Sequence, residues 1–259
     1  FTTDCMGASD IVFVIAQSDA RLTVFDTIQS TGAAGGRTVI IVAKKGAIVK
    51  YIQTHQGKEA LYNNVIYFAR KGAHILYTGV SLSCGALMKT DVDHYLEGEG
   101  ACSEIQNVSL SSRSGIVDMN SVVYHRASHT RSYILASGVA ADKSKTVYKS
   151  DILMQKDTCG IVTGDQKATF LLLSPKAEID AIPALNIAQK EVRCSHSVSV
   201  SHVKESDLYY PQLRGLKKSE ASRMIVEGML QSGLQDMEQD VFAHTLRKKI
   251  QDALVKIDF

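Results

Sequence analysis

The chain has 259 residues, 45% hydrophobic and 22% charged, with 29 basic and 27 acidic side chains and a formal net charge of +2. That is ordinary globular composition, in a chain long enough to bury a large core without disulfide or metal staples. A balance this near neutrality carries no electrostatic footprint for nucleic acid and no polybasic membrane patch, and no apolar run reaches the roughly 20 residues that span a bilayer.

The segment 11–16 is apolar but short and lacks a basic flank, so it does not read as a signal peptide. The chain begins with Phe1, and the expectation is a fragment or a processed product. From there the β-branched, aromatic and aliphatic stretches 38–42, 64–68, 121–124, 146–154 and 169–173 predict strands. An internal repeat links two of them. Val42-Ala43-Lys44-Lys45-Gly46-Ala47-Ile48 is echoed by Phe68-Ala69-Arg70-Lys71-Gly72-Ala73-His74. Weaker echoes begin at Met154 and Leu172. Each unit is an apolar strand, a polar turn, a small residue and renewed alternation. Repeats of roughly 20–26 residues built this way predict a solenoid, in which each coil buries its inward face by stacking on its neighbours. A sandwich or roll containing two similar strands is the competing fold.

After Val203 the period changes. Ser219 is the expected N-cap of a helix with Glu220 in its first turn, and Ala221, Met224, Ile225 and Met229 mark one face. Gly233 suits a stop. A second helix is expected over 236–256, with Met237, Val241, Leu246, Ile250, Ala253, Leu254 and Ile257 as its apolar positions. The expected division is a right-handed parallel β-helix core over 1–203 and a helical appendage over 204–259. The appendage is too small for a core of its own, so it must pack on the solenoid or on a partner.

Five cysteines, Cys5, Cys84, Cys102, Cys159 and Cys194, are odd in number and widely spaced, with no CxxC pair. Free thiols in a reducing compartment follow. His125 and His129 are four apart, but no third ligand is near in sequence, so polar loop residues are expected. Asp91, Asp93 and His94, with Glu97 and Glu99, read as a solvated loop. No GxxxxGK[ST] motif is present, which removes nucleotide binding of the P-loop kind.

Three stretches carry a family resemblance. His125-Arg126-Ala127-Ser128-His129-Thr130-Arg131-Ser132 is followed by the segment 142–152. Leu171-Leu172-Leu173-Ser174-Pro175-Lys176-Ala177-Glu178-Ile179 leads into Pro183, Leu185 and Ile187. Val192-Arg193-Cys194-Ser195-His196-Ser197-Val198 precedes Leu208-Tyr209-Tyr210-Pro211-Gln212-Leu213-Arg214-Gly215-Leu216. In order and spacing they resemble the signature of the SufB/SufD family, scaffold proteins of SUF iron–sulfur cluster assembly, across nearly half the chain. The resemblance implies a subunit that pairs through its β-helix core with SufB or with a second copy of itself. It implies that the chain recruits a SufC-type ABC ATPase through its helical region. No cofactor would be bound stably, and a transient iron–sulfur cluster would form at the subunit interface. No enzymatic turnover by the chain itself is implied, and the compartment would be the cytoplasm, or an organellar matrix after removal of a targeting segment.

Two departures favour the SufD branch. Where SufB proteins have a cysteine this chain has Ala177, and His196 is flanked by Ser195 and Ser197 in place of acidic residues. Cys194 stands two residues before His196, as in SufD proteins. On a strand those two side chains share a face, and a thiolate with an imidazole suits iron; the bland alternative is a core cysteine and a surface histidine. Arg214, Gly215, Leu216, Ala221, Met224 and Ile225 are the candidates for the ATPase contact, since a helix offering Met and Ile to a groove is a common partner surface. Two other functions compete. A β-helix carbohydrate-active enzyme needs clustered carboxylates on consecutive coils, and few acids occupy matching positions; a structural homo-oligomeric solenoid would bind no ATPase.

Overall fold

A computed structural model describes residues 2–5, 9–30, 34–155, 160–234, 242–255 and 257. Among the described residues, fifteen strands and three helices follow one another. The strands are β1 (Thr2–Cys5), β2 (Ser9–Ala16), β3 (Arg21–Ser30), β4 (Gly35–Ala43), β5 (Ile48–Gly57), β6 (Leu61–Ala69), β7 (His74–Cys84), β8 (Leu87–Leu96), β9 (Cys102–Ser112), β10 (Ile116–His125), β11 (Arg131–Ala140), β12 (Lys145–Met154), β13 (Val162–Leu172), β14 (Glu178–Ile187) and β15 (Val192–His202). The helices are α1 (Glu205–Leu213), α2 (Lys218–Ser232) and α3 (Ala243–Leu254). Odd strands form an eight-stranded sheet and even strands a seven-stranded sheet, each in chain order and wholly parallel. Each coil gives one strand to each sheet, which is a parallel β-solenoid with the core between the sheets.

The repeat in the sequence is the coil itself. Val42 lies beside Phe68, Ala43 beside Ala69, Ile48 beside His74 and Tyr51 beside Tyr77. Ala43, Ala47, Ala69, Ala73 and Ala101 are fully buried at this corner, where a larger side chain would push the sheets apart. One residue per corner is left-handed: Asp19, Gly46, Gly72, Gly100, His129 and Gly160 on this side of the solenoid. The echo beginning at Leu172 belongs to the opposite corner, between β13 and β14. Of the echo beginning at Met154, residues 156–159 lie outside the described residues. The corner geometry has a measurable consequence. Gly72 sits at φ 64° with open space where a Cβ would go, so Gly72→Ala should cost about 1 kcal/mol from backbone strain alone. His129→Gly, at φ 59°, should be stabilising or neutral because glycine removes that strain, less its own chain entropy. Urea midpoints of the two variants check both signs.

The five expected strands fall inside β4, β6, β10, β12 and the end of β13, except that Leu173 lies just past it. Most odd strands were missed because their inward positions are polar. Gln53, Asn107, Ser109 and Ser111 are buried inside the solenoid and break the apolar alternation that marks a strand. The acidic segment around Asp91 and Asp93 is strand β8 and not a loop. Its alternation turns Asp91 and Asp93 outward and buries His94 against Tyr67, with 4.3 Å between ring centroids.

Helices α2 and α3 lie on the outer face of the eight-stranded sheet, and α1 packs on α2. Val226, Leu230, Leu246, Ile250 and Leu254 close over Ile52, Val80, Val108 and Val139, and Phe242 stacks on Phe25 with ring centroids 4.6 Å apart. α2 begins two residues earlier than expected. Its N-cap is Lys217, whose backbone N–H donates to the Glu220 carboxylate at 2.7 Å; Ser219 is inside the helix. Gly233 is the C-cap, with φ in the right-handed region. Its use is close approach, because a Cβ there would meet Ser137 and Val108 at 3.0 Å. α3 is shorter than expected, Ala243–Leu254, and Met237 and Val241 lie outside the described residues. Leu246, Ile250, Leu254 and Ile257 are buried as the periodicity requires.

Candidate functional site

The last coil, β14 and β15, ends both sheets and has no neighbour on its far side among the described residues. Two consequences follow. The backbone groups on the outer edges of both strands are unpaired, a template for pairing with another chain. The inward side chains of this coil are covered from one side only. Val198 and Val200 are 38% and 41% exposed, while their β13 neighbours Ala168 and Phe170 are buried. An apolar row left open in this way is the mark of an interface.

Cys194 and His196 share that inward row, in register with Gly164 and Gln166 of β13. The structure separates their environments. Cys194 is half-buried against the core, with its Sγ 3.5 Å from Met154 Sδ. Space for this pair comes from Gly164, where a Cβ would meet Met154 at 3.0 Å. Burial pushes the Cys194 thiol up, against a backbone hydrogen bond from Gly164 that pulls it down. A raised thiol is a poor nucleophile and a poor ligand until the proton is drawn off. His196 is exposed at the open end. Beneath it Gln166 ties the sheets together: its amide donates to the Ala184 carbonyl at 2.5 Å, and the Ser150 hydroxyl donates to its side-chain oxygen. The outward neighbour Ser195 donates to Asp165 at 2.6 Å. No group of three or more His, Cys, Asp or Glu side chains is placed to hold a metal ion among the described residues. Among the described residues, Cys194 and His196 are two potential donors with no third beside them.

His125 and His129, weighed in the sequence as a pair, diverge. His125 is inside the solenoid, hydrogen-bonded to Thr130 at 2.7 Å and Ser132 at 2.8 Å. His129 is exposed at a corner.

The second candidate surface is built by α1 and the start of α2. Backbone N–H groups of Lys204 and Lys217 are capped by Asp207 and Glu220, which fixes both helix starts. Arg214 stacks over the Tyr210 ring at 5.1 Å and donates to its hydroxyl. Gly215 takes φ 91° to turn the chain between the helices. Met224 is half exposed, Leu216 and Ile225 are half-buried, and Ala221 is fully buried. Ala221 thus supports the surface from beneath. Sequence periodicity missed the largest exposed apolar groups, Tyr209, Tyr210 and Leu213, exposed by 65%, 62% and 66%. α1 lacks a one-sided apolar stripe, so no helical period points to them.

Residues 2–229 match the family described as "SUF system FeS cluster assembly, SufBD core domain". An iron–sulfur cluster assembly SufBD family protein of Staphylococcus epidermidis (strain ATCC 12228) is 24% identical over 232 residues, 87% of this chain and 50% of that protein. A SufBD family protein of Mycobacterium leprae is 26% identical over 235 residues, 88% of this chain and 27% of that protein. The chain spans half or less of the length of these relatives. With the family match covering both sheets and reaching into α2, the chain belongs to the SufBD core family of SUF iron–sulfur cluster assembly proteins.

Proposed function

We propose that the chain is a SufD-like scaffold subunit: its open last coil pairs with SufB or with a second copy, and its α1–α2 surface docks a SufC-type ATPase. The nascent iron–sulfur cluster is cargo at the paired interface, with His196 as this chain's foremost donor and Cys194 behind it. The reading has the chain act in the cytoplasm, with no turnover of its own. The observation that carries it is the last coil: an unpaired double edge, an open apolar row and a histidine exposed on the same face. Such a face binds by adding strands and burying valines, and it brings the histidine to the partner's surface. The SufD assignment is supported by Ala177 and by the serines beside His196.

Deleting 204–259 is the wrong test of the ATPase contact, because it would strip α2 and α3 from the apolar outer face they cover. Point changes on exposed groups avoid that. Leu213→Glu and Met224→Glu together should weaken binding of the SufC-type ATPase at least about tenfold, roughly 1.4 kcal/mol, with the thermal midpoint unchanged. Calorimetric titration of the purified pair measures it. Unchanged affinity in the double variant would remove the ATPase from this surface. Val200→Asp separately addresses pairing and should abolish dimer or SufB complex formation in sedimentation.

A further inference from the structure

The two open edges of the last coil are not alike. The backbone N–H of Val162 in β13 donates to the Glu191 carbonyl at 3.1 Å. The alternation of a parallel ladder then turns the odd residues of β15 toward β13. It leaves the N–H and C=O groups of Cys194, His196, Val198, Val200 and His202 on the open side. That edge is complete in donors and acceptors. At β14 the N–H groups of Glu178 and Ala188 donate to the carbonyls of Ser144 and Met154. Its odd residues therefore face the open side, and the middle one is Pro183, which has no N–H. Of the two strands, β15 is the one that another strand can extend along its whole length.

The sequence of β15 says which strand fits. Residues 196–202 read His-Ser-Val-Ser-Val-Ser-His, the same in both directions about Ser199. An antiparallel copy of β15 on a two-fold axis at Ser199 sets His196 opposite His202, Ser197 opposite Ser201 and Val198 opposite Val200. Valine then covers valine, serine meets serine, and the edge is complementary to itself. The parity agrees, because even residues, which carry the unpaired backbone groups, fall opposite even residues. This register also brings a third donor to Cys194 and His196. Opposite residues of a hydrogen-bonded pair lie about 5.5 Å apart at Cα, and the diagonal from Cys194 to His202 of the second copy is about 7–8 Å. His202 is exposed, and its Nδ1 lies 3.2 Å from the Leu172 carbonyl. A carbonyl only accepts, so in the neutral ring Nδ1 carries the proton and Nε2 keeps its lone pair, the arrangement of a metal-ligating histidine.

We propose that two copies of the chain pair β15 to β15 about Ser199, and that each end of this seam holds one divalent first-row cation. Its donors are Cys194 and His196 of one copy and His202 of the other. The inference rests on the scaffold reading above, in taking the last coil as the pairing face. Two imidazoles and a thiolate suit borderline cations such as Zn²⁺ or Fe²⁺ and leave a fourth position open to a further ligand. With His196 three residues from the two-fold axis, the two cations lie about 20 Å apart. They are separate sites, each incomplete in a single chain.

The test uses the intact chain and two exposed serines. In this register Ser199 faces its own copy at a non-hydrogen-bonded position, where Cα atoms are about 4.5 Å apart, within the range a disulfide spans. Ser199→Cys should give a disulfide-linked dimer on mild oxidation. Ser197→Cys, about 14 Å from its own copy along the strands, should not. Titration of the parent chain with Co²⁺ should give the visible absorption of a cobalt thiolate, saturating at one ion per chain. His202→Ala should weaken that binding at least about tenfold, with sedimentation still showing a dimer. A monomer in sedimentation, equal cross-linking of the two cysteine variants, absent cobalt bands, or cobalt binding unmoved by His202→Ala each overturns the proposal. Ser199→Cys that stays unlinked while the chain still binds the SufC-type ATPase overturns this pairing and leaves the scaffold reading standing; loss of both overturns the two together.

Discussion

Asp26→Ala is expected to destabilise the solenoid by about 3–5 kcal/mol, the largest effect of any single substitution considered. Asp26 and Arg37 lie between the sheets with side chains 3% and 2% exposed, joined at 2.6 Å. The second Asp26 oxygen accepts from the Tyr51 hydroxyl at 2.8 Å and from Gln53 at 3.0 Å. Gln53 in turn exchanges hydrogen bonds with Asn63 and accepts from Tyr77. Removing the carboxylate leaves a buried guanidinium without its inner partner and the Tyr51 hydroxyl without its acceptor, while Gln53 as a donor keeps only its bond to Asn63, and the desolvation cost of the lost bonds is uncompensated. Arg37 keeps Asp10 at 2.9 Å, but that carboxylate is 40% exposed and screened by water. Asp10→Ala should therefore cost only about 0–1 kcal/mol. Urea denaturation of both variants makes the comparison. Equal effects would mean that the inner partner contributes no more than the outer one.

That network also shows where sequence reading stopped. The solenoid was legible because its coil-to-coil register repeats residue types: Val42 over Phe68, Ala47 over Ala73, Tyr51 over Tyr77. The glycines at 46 and 72 repeat because the corner demands a left-handed residue. Where the corner is met by Asp19 or His129, and where the interior is Asp26, Arg37 or Asn107, the repeat is invisible although the coil continues. Geometry is conserved between coils there, but chemistry is not.

The site was legible in part for the same reason. Alternation along β15 correctly set Cys194 and His196 on one face. It could not say that β15 is the last strand of its sheet among the described residues, and this decides the surroundings of both. In a middle coil, the same pair would be core residues; at the open end one is half-buried and the other is exposed to solvent. On the helical tail the expected single face divides: Ala221 is buried with Val226 and Leu230, while Met224, placed on the same face by the periodicity, is exposed. Tyr209, Tyr210 and Leu213 follow no apolar period because α1 has little buried face to set one, only Leu208 and Pro211.

The second large expected effect is acid instability. His55, His94 and His125 are buried between the sheets, and burial lowers their pKa from the ordinary 6.5 to about 4, about 3 and about 4. Each is held neutral by uncharged partners: Ser81 and Thr90 at His55, Ser103 at His94, Thr130 and Ser132 at His125. The folded state therefore binds fewer protons than the unfolded chain once the pH falls below about 6.5, and stability must fall with it. One fully linked proton costs about 1.4 kcal/mol per pH unit, so three together approach about 4 kcal/mol per unit. The loss begins as the pH passes the unfolded value near 6.5. It levels off only near 4 for His55 and His125 and near 3 for His94. A domain stable by about 5–15 kcal/mol at pH 7 should be mostly unfolded by about pH 5 at the lower end of that range. Urea midpoints between pH 7 and pH 5 measure the slope. His94→Phe preserves a ring against Tyr67, gives up the bond to Ser103, and should reduce the slope by about a third whatever it does to stability at pH 7. An unchanged slope in that variant, or a flat profile in the parent chain, would mean that the buried imidazoles accept protons inside the solenoid.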